Sequence, residues 1–229
     1  MNTYPSPLEM LYKWEQETPN KIYMRQPIKG VWHEWTWKET AMQVRKMAAY
    51  IKSLNLPEGS RIGILSKNCA HWMFSDLAIM MAGHVSVPLY PNLNAETLKH
   101  ILEHSEAQVL FVGKLDDYES VRPGVPEKVQ CIAYPFYTEE GYPVWGDLVQ
   151  DISPISKDLV RDSEELATII YTSGTTGIPK GVMHKFFNFG FAAFNAVNTI
   201  DLDNTEKFFS YLPLCHIAER LLVEMGSLY

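Results

Sequence analysis

Cysteine is scarce in this chain, and its distribution excludes two classes of protein. The 229 residues include three cysteines, Cys69, Cys131 and Cys215, which lie far apart and form no C-x-x-C pair. A disulfide framework or a cysteine-ligated metal needs paired or closely spaced thiols. We therefore predict reduced thiols, a cytoplasmic location, and a packing role for Cys215.

Targeting and membrane-spanning segments are also missing. The first ten residues, MNTYPSPLEM, have no basic head and no apolar run, which is unlike a secretory signal. No stretch approaches the roughly 18 uninterrupted apolar residues that a spanning helix needs. We expect no membrane span and leave peripheral contact with a membrane surface open.

Basic residues are outnumbered by acidic ones. The chain has 20 Lys and Arg against 27 Asp and Glu, giving a formal net charge of −7. Because nucleic-acid binding needs a basic face, we predict no nucleic-acid partner. Apolar residues make up 46% of the chain, which is typical of globular proteins and unlike disordered or collagen-like chains. The length fits one large domain or two small ones.

Short apolar runs alternate with helical patterns through the middle of the chain. Continuous apolar strands that alternate with helices predict a parallel sheet covered on both faces, hence an α/β fold. Two capping boxes, Ser6 with Glu9 and Thr36 with Glu39, predict helix starts nearer the N-terminus. The predicted strands are Arg61–Leu65, Val85–Leu89, Gln108–Val112, Val129–Ala133, Ala167–Tyr171, Val182–His184 and Phe208–Leu212, and the clearest helices are Ala70–Ala82, Ala95–His104 and Phe186–Val197.

A polar glycine loop follows the strand that ends at Tyr171. Its hydroxyls, its glycines and one ammonium group together predict a grip for polyphosphate, because backbone N–H groups in such a turn form an anion cradle. Many Ser/Thr/Gly loops are only solvated turns, but the length of YTSGTTGIPKG favours a functional role. A Walker A loop is excluded, since Gly181 stands where that motif needs Ser or Thr after Lys180. The candidate phosphate-binding residues are Thr172, Ser173, Gly174, Thr175, Thr176, Gly177 and Lys180.

The segment PLCH at residues 213–216 precedes a predicted helix that runs to Tyr229. A lone histidine among apolar residues is usually a hydrogen-bonded core residue. In this setting we favour a functional role for His216, whereas His184, on a short strand, is expected to be structural.

The full string from Tyr171 to Gly181 resembles the signature loop of the adenylate-forming (AMP-binding) superfamily. Arg61–Trp72, Gly83–Pro91 and His104–Val112 resemble other segments of that family. Residues 216–220, HIAER, resemble the long-chain fatty acyl-CoA synthetases in particular. The resemblance implies an α/β fold of stacked, mostly parallel sheets flanked by helices, as an incomplete large N-terminal domain of an adenylate-forming enzyme.

The resemblance also implies two half-reactions. A fatty acid carboxylate attacks ATP to give acyl-AMP and pyrophosphate, and CoA then displaces AMP. The glycine loop would hold the ATP phosphates, and His216 would lie where the acyl carboxylate meets CoA. The family's Mg²⁺-binding glutamate, ribose-binding aspartate and C-terminal lysine-bearing domain have no match here, so no metal ligand is assigned and the Mg²⁺ ligand is expected beyond Tyr229.

Residues 1–229 are therefore expected to be the N-terminal portion of an adenylation domain, with the remainder of that domain and the C-terminal domain absent, and to be inactive alone. Two alternatives stay open. One is a ligase for a shorter or aromatic carboxylic acid, and the other is a truncated, non-catalytic nucleotide-binding or interaction protein. Acyl chain length and oligomeric state are left open.

Overall fold

A computed structural model describes residues 4–137, 141–172 and 179–229. The strands are β1 Ile22–Ile28, β2 Val31–Thr36, β3 Arg61–Leu65, β4 Val85–Leu89, β5 Val109–Val112, β6 Gln130–Ala133, β7 Leu166–Thr172 and β8 Lys180–Lys185. The α-helices are α1 Pro7–Glu17, α2 Trp37–Ser53, α3 Ala70–Ala82, α4 Ala95–His104, α5 Trp145–Gln150, α6 Phe186–Ile200, α7 Ile217–Glu219 and α8 Gly226–Leu228. A 3₁₀ turn covers Arg122–Gly124, and a π-helical stretch, Arg220–Met225, joins α7 to α8.

Six strands form one mixed sheet in the order β6-β5-β3-β4-β7-β8. The pairs from β6 to β7 are parallel, and β8 returns antiparallel along β7. The predicted α/β class, the mostly parallel strands and the flanking helices are confirmed. Within the described residues the other sheet is the two-stranded ribbon β1-β2, whose turn uses Lys29 and Gly30 at positive φ.

Successive side chains along each strand point to opposite faces of the sheet, and a hydrophobic core lies on each face. Ile62 and Ile64 of β3 face a cluster that includes α1, α2, α3 and α6, whereas Leu65 faces a second cluster against α4. This is the period-2 burial of a doubly covered sheet. All 13 residues of α3 are buried, since α3 lies between the sheet and the outer helices.

The predicted helix starts form as the sequence indicates. Ser6 with Glu9 and Thr36 with Glu39 make complete capping boxes, and Asn94 caps α4. Gly83 ends α3 in the left-handed conformation that glycine adopts without strain. The three cysteines are buried free thiols, as predicted, and burial raises the pKa of Cys215 to about 12.

One predicted strand is wrong. Residues 208–212 are irregular and belong to no sheet, because side chains rather than a neighbouring strand supply their hydrogen-bond partners. An apolar run alone does not distinguish a strand within a sheet from an irregular segment. No helix in the described part of the chain is long and apolar enough to cross a membrane.

Candidate active site

The glycine loop leaves the sheet at the edge where ligands bind in open α/β folds. It connects β7 to β8, and β7 runs parallel to β4. The loop therefore emerges beside the carboxyl ends of the parallel strands, where such folds place their binding crevices. Thr172 and Lys180 form the last pair of the β7–β8 ladder, and both are exposed. They bracket the loop with one hydroxyl and one ammonium group.

Five of the predicted phosphate-binding residues lie outside the described residues. They are Ser173, Gly174, Thr175, Thr176 and Gly177. The structure thus describes the two ends of the predicted grip, Thr172 and Lys180, and its position on the sheet.

His216 lies at the same edge. It is the N-cap residue of α7, and its Nδ1 accepts a hydrogen bond from the Ala218 backbone N–H at 3.2 Å. The neutral ring then carries its proton on Nε2. The imidazole is exposed, so the structure does not make it a core histidine. His184 is half-buried beside Phe189, and burial lowers its pKa.

Two observations bring the His216 region close to the loop. Tyr90 is the residue directly after β4. Burial, and to a smaller extent the nearby Cys215 thiol, raise the pKa of Tyr90. The pairing of Ser86 with Thr168 also sets the register between β4 and β7. Because β4 and β7 run parallel, the residues that follow the two strands leave the sheet at the same edge. The chain after β4, the loop after β7 and the PLCH segment therefore converge on one edge.

Asn68 ties this region to the end of β3. Its amide group donates to Ser210 Oγ at 2.7 Å and to the Leu212 carbonyl at 2.6 Å. Its Oδ1 accepts the Leu214 N–H at 3.0 Å. No sequence signal identified this residue, because one asparagine in a loop carries no motif.

A buried polar cluster lies between α3 and the strands β4 and β7. Arg220 donates to both oxygens of Asp76, at 2.6 and 2.5 Å, and all the side chains of this cluster are fully buried. Glu224 Oε2 lies 3.4 Å from Arg220 Nε. Burial, and then the Asp76 charge, hold the pKa of Glu224 well above its usual range. In the sequence, the sign of this cluster is the presence of three ionisable residues, Asp76, Arg220 and Glu224, in mostly apolar helical segments.

Carboxylates and imidazoles do not gather into a metal site here. Across residues 4–137, 141–172 and 179–229, no group of three or more His, Cys, Asp or Glu side chains could hold a metal ion. The edge instead presents hydroxyl, ammonium and imidazole groups, which suit a phosphate or a carboxylate.

Comparison with known proteins agrees with this chemistry. The chain is 30% identical over 222 residues to the long-chain-fatty-acid–CoA ligase FadD15 of Mycobacterium bovis, covering 93% of this chain and 37% of that protein. Its fold matches a putative long-chain-fatty-acid CoA ligase from Rhodopseudomonas palustris with a TM-score of 0.81, at 21% identity over 98% of this chain and 56% of that one.

A third match is the anthranilate CoA ligase AuaEII, solved in complex with anthranoyl-AMP. Its TM-score is 0.72, at 23% identity over 85% of this chain and 37% of that one. The chain thus spans 37 to 56% of the length of these three proteins. Residues 11–229 match the family described as AMP-binding enzyme, and the chain belongs to that family.

Proposed function

We propose that residues 1–229 form the N-terminal portion of the adenylation domain of an ATP-dependent acid–CoA ligase that acts on long-chain fatty acids. The observation that carries the proposal is the glycine loop at the carboxyl edge of the parallel strands, bracketed by exposed Thr172 and Lys180. The similarity to FadD15 supports a fatty acid as the substrate. The likeness to AuaEII is below 25% identity and supports the fold alone.

The proposed reaction has two steps. The fatty acid carboxylate attacks the α-phosphorus of ATP, pyrophosphate leaves, and acyl-AMP forms. The CoA thiol then attacks the acyl carbon, and AMP leaves. When bound, Mg²⁺ supplies positive charge to the phosphate oxygens.

The loop residues have the chemistry that this first step needs. Negative charge shifts onto phosphate oxygens as the bond to pyrophosphate breaks, and fixed N–H and O–H donors stabilise that charge. The proposed donors are the hydroxyls of Thr172, Ser173, Thr175 and Thr176 and the backbone amides at Gly174 and Gly177. Lys180 adds an ammonium group at the exit of the loop.

His216 is proposed to act at the junction of the acyl group and CoA. Because its Nδ1 is engaged by the Ala218 N–H, the neutral ring can donate only from Nε2. A donor there would orient a carboxylate oxygen of the acid. A cytoplasmic location, with the acid arriving from a membrane surface, is part of the same proposal.

The loop is tested by removing one hydroxyl at a time. In the full-length protein, Thr175→Ala and Thr176→Ala should each lower palmitate-dependent ATP–pyrophosphate exchange by about 10- to 100-fold, since hydrogen bonds to charged groups contribute about 1.5–3 kcal/mol. Thr199→Ala, at an exposed position on α6, is the matched control and should leave exchange unchanged. Unchanged exchange in both loop variants would contradict the role given to the loop.

A further inference from the structure

The residues between α6 and α7 hold an irregular but ordered conformation at the proposed site. Residues 208–216, called the edge segment here, form no strand or helix. Phe209 is 81% exposed and Tyr211 is 72% exposed, so apolar burial does not fix the first part of this segment, whereas Leu214 and Cys215 at its end are buried. Polar contacts must therefore hold the backbone of that first part.

Two side chains from outside the segment supply those contacts. Asn68 binds Ser210 Oγ, the Leu212 carbonyl and the Leu214 N–H. Glu219 Oε1 accepts the Ser210 hydroxyl at 2.8 Å and the Tyr211 N–H at 2.9 Å.

The Ser210 hydroxyl joins the two side chains. It accepts from Asn68 and donates to Glu219, which satisfies the geometry of one O–H group in both directions. Asn68 follows β3 and Glu219 is in α7, so the segment is fixed to two different elements. Such a linked polar network specifies one conformation when all its members are paired.

The Glu219 end of this network is buried and lies next to an ion pair. Glu219 is only 3% exposed, and the next residue, Arg220, is ion-paired with Asp76 of α3. A buried pair with two short N–H···O bonds resists movement of the helix start. The N-cap residue of that helix is His216. Whatever fixes α7 and the edge segment therefore also fixes the imidazole.

We propose that Asn68 and Glu219 are positioning residues of the ligase, which hold the edge segment and His216 as one wall of the acid-binding site. This inference rests on the proposed function. Neither side chain needs to touch the substrate. Their role is to define where Tyr211, Pro213 and His216 stand relative to the incoming carboxylate, so their loss should weaken acid binding more than ATP binding.

The kinetic test uses graded variants of the full-length protein. Glu219→Ala and Asn68→Ala should raise KM for palmitate at least tenfold and change KM for ATP less than twofold. Glu219→Gln keeps an acceptor oxygen and should recover most of the lost affinity. Glu206→Ala, at an exposed acid just before the edge segment, is the control and should leave both KM values unchanged.

A second test does not depend on activity. Amide hydrogen exchange at Tyr211 and Leu214 should accelerate at least tenfold in Glu219→Ala and Asn68→Ala respectively, with the melting temperature of the protein nearly unchanged. Unaltered hydrogen exchange at those amides would overturn the inference that Asn68 and Glu219 hold the edge segment. Faster exchange with an unchanged KM for palmitate would overturn its role in acid binding.

Two further outcomes distinguish a structural role of Asn68 and Glu219 from failure of the proposed ligase function. A parallel loss of melting temperature and of every kinetic parameter would mean a purely structural role and would overturn the proposal. If the wild-type protein shows no acid-dependent ATP–pyrophosphate exchange, the ligase function fails and the positioning role falls with it. Hydrogen exchange would then still report whether Asn68 and Glu219 hold the segment, so the two failures are distinguishable.

Discussion

The interior of the central sheet and its β8 edge differ sharply in burial. In β4 all five residues are buried, and so are all 13 residues of α3 that cover it. In β8 the side chains of Val182 and Met183 are 43% and 69% exposed, and three phenylalanines of α6 are more than 40% exposed. A strand buried on both faces must satisfy every polar group within the protein, whereas an exposed strand can use water.

The interior nevertheless holds a fully buried ion pair, Arg220 with Asp76. Arg220 stacks on Trp72 and Phe189 and bonds Asp76, Thr168 and Ser86. This one side chain therefore connects α3, β4, β7 and α6 to the helix that follows His216. The interior of the sheet thus contains a fully buried ion pair, whereas the ion pair described at β8, Lys185 with Glu164, is exposed on both sides.

The largest effect is expected from breaking the buried pair. Arg220→Leu leaves the Asp76 carboxylate without its cation in a site closed to water, and should lower the free energy of unfolding by about 3–5 kcal/mol. The matched control is Arg25→Leu, whose partner Glu34 is exposed, and it should cost less than about 1 kcal/mol. Urea denaturation of both variants measures the difference.

An equal cost for the two arginines would contradict the comparison. It would mean that the Asp76 carboxylate finds water or takes up a proton once Arg220 is gone. The pH dependence of Arg220→Leu stability separates those two explanations, because only proton uptake makes the penalty smaller at low pH.

A smaller, pH-dependent effect is expected at Glu224. Neither of its carboxyl oxygens has a hydrogen-bond partner among the described residues, and its pKa is raised by burial and by Asp76. Between the ordinary pKa of 4.5 and the raised pKa, the carboxyl group therefore keeps its proton in the folded state and loses it in the unfolded state. Over that range, each rise of one pH unit lowers the free energy of unfolding by up to about 1.4 kcal/mol. Stability from this group is present at low pH and is lost as the pH rises.

Glu224→Gln should remove that loss, since the amide resembles the neutral acid and carries no ionisable proton. Thermal unfolding at pH 5 and pH 8 should show a smaller decrease for the variant than for the wild type. Glu103→Gln, on the exposed face of α4, should leave the decrease unchanged. The same slope in Glu224→Gln and the wild type would show that Glu224 is ionised in the folded protein.

The sequence predicted most of the fold because local signals agreed with burial. The bounds predicted for Arg61–Leu65 and Ala70–Ala82 match the structure residue for residue. Both elements are mostly apolar runs, and Gly83 ends the helix. Residues 208–212 have the same apolar character, but the contacts that decide their conformation come from Asn68 and Glu219. No local pattern reports a partner that far along the chain.

The site was only partly accessible to the same reasoning. The glycine loop and His216 carry sequence motifs, and the structure puts the ends of the loop and His216 at the carboxyl edge of the sheet. The residues that hold this edge in place carry no motif. A single charge in an apolar helix, such as Asp76, is the one general signal that a buried partner must exist, but it does not name that partner.

The smallest effect on stability is expected at the exposed end. Met183→Lys on β8 changes a side chain that is 69% exposed, and should alter the free energy of unfolding by no more than about 0.5 kcal/mol. Because β8 is the last strand of the described sheet, its free edge can pair with another chain, and a lysine opposes that pairing.

Light scattering during heating should therefore show later aggregation for Met183→Lys than for the wild type, at an unchanged melting temperature. Leu89→Ala, at a fully buried position of β4, is the opposite control. It should lower the free energy of unfolding by about 2–5 kcal/mol. Aggregation should then begin at a lower temperature, because the chain unfolds earlier. If Met183→Lys destabilises the protein as much as Leu89→Ala does, Met183 is covered in solution, and the interior and the β8 edge of the sheet are equally dependent on burial.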